Sequence, residues 1–276
     1  MNSPLRLPPG TKLLRCIGKL GLLASLVTLA PCADATVYTW MGTGTTTTPT
    51  NGNWSIPADW SGGLPASAAT TELDFASSTT SYVSTNNIGT VPFELNILTN
   101  ATGSGTGTDS VTGNSAAPGT QLEFVANGSS PVINQNGGGI LSITAPLDLA
   151  SGLTIQSTGV GQVALTGAIT DTGSLTISRS NAGQTGVVLN NANNAYSGGT
   201  FVTAGSVIVD APGSLGTGTL TLGGTVAPKL TFSTTGGTYN NNLAVTGTNA
   251  TIEADVTTTI TGTAASNIAS GEILTL

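Results

Sequence analysis

The chain has 276 residues and a formal net charge of −7, with six basic side chains against thirteen acidic ones and no histidine. The missing imidazole excludes Ser-His-Asp and Cys-His catalysis and every histidine-based metal site. So acidic a surface repels nucleic-acid phosphates and anionic membranes, so no nucleic-acid partner is expected.

Residues 1–35 read as an export signal. Lys12, Arg15 and Lys19 precede an apolar run from Leu20 to Ala30, and Ala33-Asp34-Ala35 supplies the small residues of an A-x-A cleavage site, with the cut expected after Ala35. The run is too short to span a bilayer, and Pro31 makes Cys32 a poor lipid-attachment cysteine. Cleavage leaves Arg179 and Lys229 against twelve acids, a net charge of −10, and removes both cysteines, Cys16 and Cys32. No disulfide, thiolate chemistry, metal site or cofactor is then expected. Abundant Gly and Thr disfavour helices, while regular short Val, Ile and Leu runs argue for an ordered β protein rather than a disordered one.

Residues 36–136 read as an irregular β region, and they hold all three tryptophans. Val37–Trp40 opens it, followed by a threonine-rich loop over Gly42–Thr50, then Asn53-Trp54-Ser55 and Ala58-Asp59-Trp60. Glu72–Phe75, Phe93–Leu98 and Gln121–Val125 have strand character, with a Gly/Ser/Thr loop expected over Asn100–Gly119. Aromatic residues gathered at one end suit a cap that closes an open sheet edge. The competing reading makes Trp40, Trp54 and Trp60 an exposed platform on which sugar rings stack.

Residues 137–276 have a steadier rhythm. Leu141-Ser142-Ile143, Leu153-Thr154-Ile155, Val163-Ala164-Leu165, Leu175-Thr176-Ile177 and Val187-Val188-Leu189 place apolar residues on alternate positions, as do triplets at 220–222, 230–232 and 243–245. That is the period-2 pattern of strands with one buried face. Leu153-Thr154-Ile155 with Gln162, and Leu175-Thr176-Ile177 with Gln184, superpose under a 22-residue shift. Very short strands at that period predict the coils of a parallel β-helix, whereas a sandwich would use longer strands with richer aromatic cores. Between Asn190 and Gly224, glycine-bearing turns separate strands at Phe201–Thr203, Val207–Val209 and Leu220–Leu222.

Within that stretch Asn194, Tyr196, Ser197, Gly198, Gly199 and Thr200, then Ala204-Gly205-Ser206, then Leu215, Gly216 and Gly218 before Leu220-Thr221-Leu222, follow one pattern. It resembles the autotransporter-associated β-strand repeat, N-x-Y-[ST]-G-G-T, A-G-[ST]-L and S-L-G-[TS]-G separated by short strands, with Val207 where leucine is usual. The likeness is strong over about 35 residues within 187–224 and looser in the W-x-G and W-S textures near the N-terminus. The resemblance implies a right-handed parallel β-helix in the passenger of an exported protein, delivered to the cell surface through a C-terminal outer-membrane barrel. The chain stops at Leu276 within the strand rhythm, with no aromatic-girdled ten-residue strands after it, so an N-terminal passenger fragment that does not itself insert into a membrane is expected.

Few side chains can carry chemistry. Arg179 and Asp171 could imitate a corner of a polysaccharide lyase, but two solvated loop charges are the plainer reading. Glu72 with Asp74, and Glu253 with Asp255, alternate along strands and share a face at the spacing of glycosidase acids, but also suit a solvent face. Ser104–Val111 approximates a single calcium nonapeptide, whose ion needs tandem copies, so a flexible loop is the simpler reading. Asn190–Asn194 and Asn240–Asn242 read as turns that could stack into amide ladders. The expected function is a non-catalytic stalk or adhesin meeting extracellular glycans, matrix or other cells. The alternatives are a β-helical lyase or hydrolase and a glycan-binding module.

Overall fold

The computed structural model describes residues 34–276 except positions 90, 114–118, 180–184, 225, 234, 247–248, 263–266, 269–273 and 276. The expected export signal, the Ala33 half of its cleavage site, and Gln184 lie outside the described residues. The chain is all-β: its described helical content is one 3-10 turn, Pro57–Asp59. No helix among the described residues is long and apolar enough to cross a membrane.

Three sheets form the walls of a parallel β-solenoid. The first has eleven strands and the second ten, and consecutive strands of a sheet come from consecutive coils. One coil runs from Val132–Gly137 in the first sheet to Ile140–Ile143 in the second and Leu147–Asp148 in the third, then returns to the first at Leu153–Gln156. The 22-residue shift is the pairing register itself: Leu153 lies opposite Leu175 and Ile155 opposite Ile177. Strands of three or four residues suffice because every backbone group pairs with the coil on either side, which no free-standing hairpin of that length could achieve.

Alternation places one residue in two on the inside. Leu153, Leu175, Leu220 and Leu243 form one interior column of the first sheet, and Val163, Val187, Val207 and Leu230 form a column of the second. All are buried. Each such side chain contributes about 1.5–3 kcal/mol of burial, so this narrow aliphatic file stands in for the absent disulfides.

Three expectations need correction. Residues 100–119 do not form a simple loop, because Ile97–Gly103 and Thr108–Gly113 are strands of the first and second sheets. Each strand mixes a polar with an aliphatic residue on its inward side, Asn100 with Leu98 and Asp109 with Val111, so the period-2 apolar pattern is hidden. Phe93–Leu98 is not one strand but two, Phe93–Leu95 in the third sheet and Ile97–Gly103 in the first, with a corner at Asn96. The amide of Asn96 fixes that corner by donating to the Val125 and Ser129 carbonyls of the next coil at 2.7 and 3.3 Å. Coils also begin well before residue 137: Thr36–Trp40 pairs in parallel with Thr71–Phe75, and that strand with Ile97–Gly103. The irregular part is the turn that folds Trp60–Ser61 antiparallel against Thr36–Trp40 at the sheet's end.

Candidate functional sites

The residues of the repeat-like stretch lock coils together. Asn194 is buried, accepts a hydrogen bond from the Ile169 amide at 2.9 Å and donates to the Ser214 carbonyl at 2.8 Å, bridging the coils before and after its own. Tyr196 is buried with its hydroxyl 2.6 Å from Thr200 Oγ1, and Thr200 donates onward to the Leu215 carbonyl at 3.0 Å. Thr200 occupies an interior column between Leu175 and Leu220, so its polar group needs those partners. Gly199, Gly205 and Gly216 have φ of 91°, 84° and 66°, which only glycine adopts without strain. A side chain on Gly218 would lie 2.5 Å from the Gly199 nitrogen of the coil below. Asn194 and Asn241 therefore act as staples to backbone of adjacent coils, not as amide-to-amide ladders; the Asn241 amide donates to the Gly216 and Gly218 carbonyls at 3.1 and 2.8 Å.

Trp40, Trp54 and Trp60 are 0, 0 and 2 % exposed, which overturns their reading as a glycan platform. They pack edge to face, with centroids 4.9 Å apart for Trp40–Trp60 and 5.5 Å for Trp54–Trp60, and Phe75 and Phe93 complete the cluster. Trp40 Nε1 donates to the Thr50 carbonyl at 3.1 Å, so the threonine loop is tied down onto the ring. Interior faces leave no ring surface for a sugar.

Arg179 is neither a catalytic base partner nor a solvated charge. It is fully buried and donates to Ser157 Oγ at 3.2 Å, to the Gly186 carbonyl at 2.6 Å and to the Gly161 carbonyl. Burial pulls its pKa down to about 10, so it remains cationic at neutral pH. Asp171 is exposed, sits at φ 80° and accepts from the Thr172 amide at 2.7 Å, with no ion pair to Arg179. Lys229 pairs with Glu253 at 2.7 Å on adjacent coils of the second sheet, and Asp255 lies exposed beyond that strand. Glu72 and Asp74 share the outer side of Thr71–Phe75 as their alternation requires, but both are half-buried, and burial raises the Asp74 carboxyl. In the nonapeptide-like stretch Asp109 points inward and accepts from Asn100 Nδ2 at 2.7 Å, which overturns the flexible-loop reading as well as an exposed calcium loop.

One feature escapes a reading by linear spacing. Glu94, Glu123 and Asp148 lie directly opposite one another on successive strands of the third sheet, and Asp171 in the next coil adds a further acid close enough to raise Asp148. The acids are about 25 residues apart, so only the coil register brings them into line. Desolvation first, then the neighbouring carboxylates, raises the Glu123 and Asp148 carboxyls. They form a file and not a cage: among the described residues no three potential ligands converge to hold a metal ion. A shallow groove of about 320 Å³ lies elsewhere, between the threonine loop and the corner that joins the first sheet to the second, lined by Thr48, Thr50, Ser77, Ser78 and Thr80 among others. Its lining is hydroxyls and backbone without an acid or a base, so it offers no general acid-base pair.

No family model matches the sequence, and neither the curated proteins nor the solved structures yield a match.

Proposed function

We propose that this chain is an exported, non-catalytic β-helical passenger segment that serves as a rigid stalk or adhesive rod outside the cell. The observation that carries the reading is the fate of its distinctive residues: Asn194, Tyr196, Thr200, Gly205 and Gly218 are all committed to docking one coil on the next. A sequence motif devoted to stacking suits a spacer, whose work is geometric. The polar outer columns support the same reading. Asn134 donates to Thr99 Oγ1 at 3.2 Å and Gln156 to Asn134 Oδ1 at 2.8 Å, a ladder of side chains that a glycan, a matrix polymer or another cell would meet.

Fractionation of the native host with antibody against residues 36–276 tests the reading. The expected product begins at Thr36, is found in medium or outer-membrane fractions, and is cleaved by external protease only slowly. A cytosolic product that retains residues 1–35 would overturn it. Release of unsaturated or reducing sugar from pectin, alginate or neutral glycans by the purified chain would overturn the non-catalytic part.

A further inference from the structure

The interior of the corner between Ile97–Gly103 and Thr108–Gly113 holds a carboxyl with no counter-charge. Asp109 is 1 % exposed and Asn100 is fully buried. Asn100 Nδ2 donates to Asp109 Oδ2 at 2.7 Å, while the remaining oxygen of the carboxyl, Asp109 Oδ1, and the amide oxygen, Asn100 Oδ1, are buried without a hydrogen-bond partner. Two orphaned acceptors beside one good hydrogen bond are what remains of a two-legged acid–amide pair when one proton is left out. Rotating the amide does not remove the need, because it would set two oxygens 2.7 Å apart.

We propose that Asp109 is carried protonated in the folded rod, donating from Oδ1 to Asn100 Oδ1, and that this proton makes the coil stack an acid-stabilised element that loosens when the proton leaves. The inference concerns the fold and does not depend on the export reading.

The surroundings favour a proton over other occupants. Tyr82, paired opposite Asp109 on the adjacent strand, spends its hydroxyl on the Ala76 carbonyl at 3.0 Å and supplies no donor. Asp74 is the other titratable group near that corner, and both carboxyls raise the Tyr82 phenol after burial itself. Neither base is at hand: Arg179 is bound to carbonyls further along the stack and Lys229 pairs with Glu253. A side chain placed on Gly137 would lie 2.5 Å from Ser77 Oγ and 2.7 Å from Asn100 Oδ1, so the space beside the pair is already closed. A proton fits there; a hydrated ion does not. The Ser78 backbone and the Asn100 amide both favour the anion, but desolvation outweighs them and lifts the Asp109 pKa to about 7. Ser77 and Ser78 line the outer groove, which gives the proton a short way to solvent.

The sign follows from linkage. The folded pKa lies above the ordinary 3.8, so the stabilisation is complete below that value and is lost as pH rises through about 7. The experiment uses the full chain, carbon-13 labelled at aspartate carboxyls, together with Asp109→Asn, whose amide can form both hydrogen bonds at any pH. One carboxyl should titrate near neutrality in the wild type and be missing from the variant. The wild-type melting temperature should fall relative to the variant between about pH 5 and about pH 8, with the folding equilibria diverging over that window by about a hundredfold. Titration of every aspartate in the ordinary range, or a melting difference that is flat with pH, overturns the proposal. So does recovery of wild-type stability at alkaline pH by added calcium chloride or sodium chloride when the variant does not respond, since the occupant would then be a cation. If Asp109→Asn fails to fold, the wild-type carboxyl titration alone decides.

Discussion

At the scale of single residues, this chain uses polar side chains as internal fasteners. Arg179 holds the corner between the first and second sheets by binding the carbonyls of Gly161 and Gly186 in adjoining coils. The Gly186 oxygen also accepts from the Val163 amide at 3.3 Å, so losing the guanidinium orphans chiefly the Gly161 oxygen and opens a void. Arg179→Met is expected to cost about 2–4 kcal/mol, read as a shift in the urea midpoint. Arg179→Lys should recover little, because one ammonium cannot reach all three acceptors along the planar fork's directions. An unchanged midpoint in both variants would show that the corner does not depend on the fork. Linear spacing carries no sign of this role. A lone arginine beside glycines looks like a surface charge, and only the coil register shows that position 179 lies on the inside. For the three tryptophans, clustering at one end points to a cap, and the structure buries all three there; what residue type does not reveal is which ring faces inward where the period is broken.

At the scale of elements, the strands were the legible part. The triplets at 141, 153, 163, 175, 187, 220, 230 and 243 all form strands, because small apolar residues on alternate positions have no other way to bury one face. Corners were less legible, since a residue can be turn-forming or coil-docking and looks the same. Asn194→Ala removes both bridges to neighbouring coils and is expected to cost about 1–3 kcal/mol. Gly205→Ala puts a β-carbon against the Arg179 carbonyl oxygen at φ 84° and should cost about 2 kcal/mol or more. Each would lower the melting temperature without altering the strand signal in circular dichroism; neutrality of both would mean the motif is not a docking device. The acidic file of the third sheet behaves differently. Glu123 lies between Glu94 and Asp148 at the rung spacing, and its carboxyl is raised, so its unfavourable charge is fully felt only as pH climbs above the ordinary carboxylate range. Glu123→Gln should therefore raise the melting temperature at neutral pH, and added salt should stabilise the wild type more than the variant. An equal salt response in the two proteins would remove the repulsion argument.

At the scale of the whole molecule, a stack of coils is only as soluble as its ends. The strand Thr71–Phe75 has a complete parallel partner in Ile97–Gly103, but on its other side it depends on Thr36–Trp40, which is in turn closed by the antiparallel Trp60–Ser61. Beneath those two short strands sits the Trp40, Trp54 and Trp60 cluster, packed on Phe75 and Phe93 of the following coil. The cap thus has two tasks, pairing an edge and covering an aromatic floor. Deleting residues 36–61 from the chain should expose both at once. Repeating units further along keep their own neighbours, so the strand content should survive while the protein associates through the bared edge, giving oligomers in light scattering. In the intact chain the tryptophan emission should be blue-shifted, shielded from acrylamide and indifferent to soluble glycans until the rod unfolds. A truncated chain that stays monomeric and melts unchanged would mean that the first coils need no cover, and the aromatic cluster would then require a different explanation.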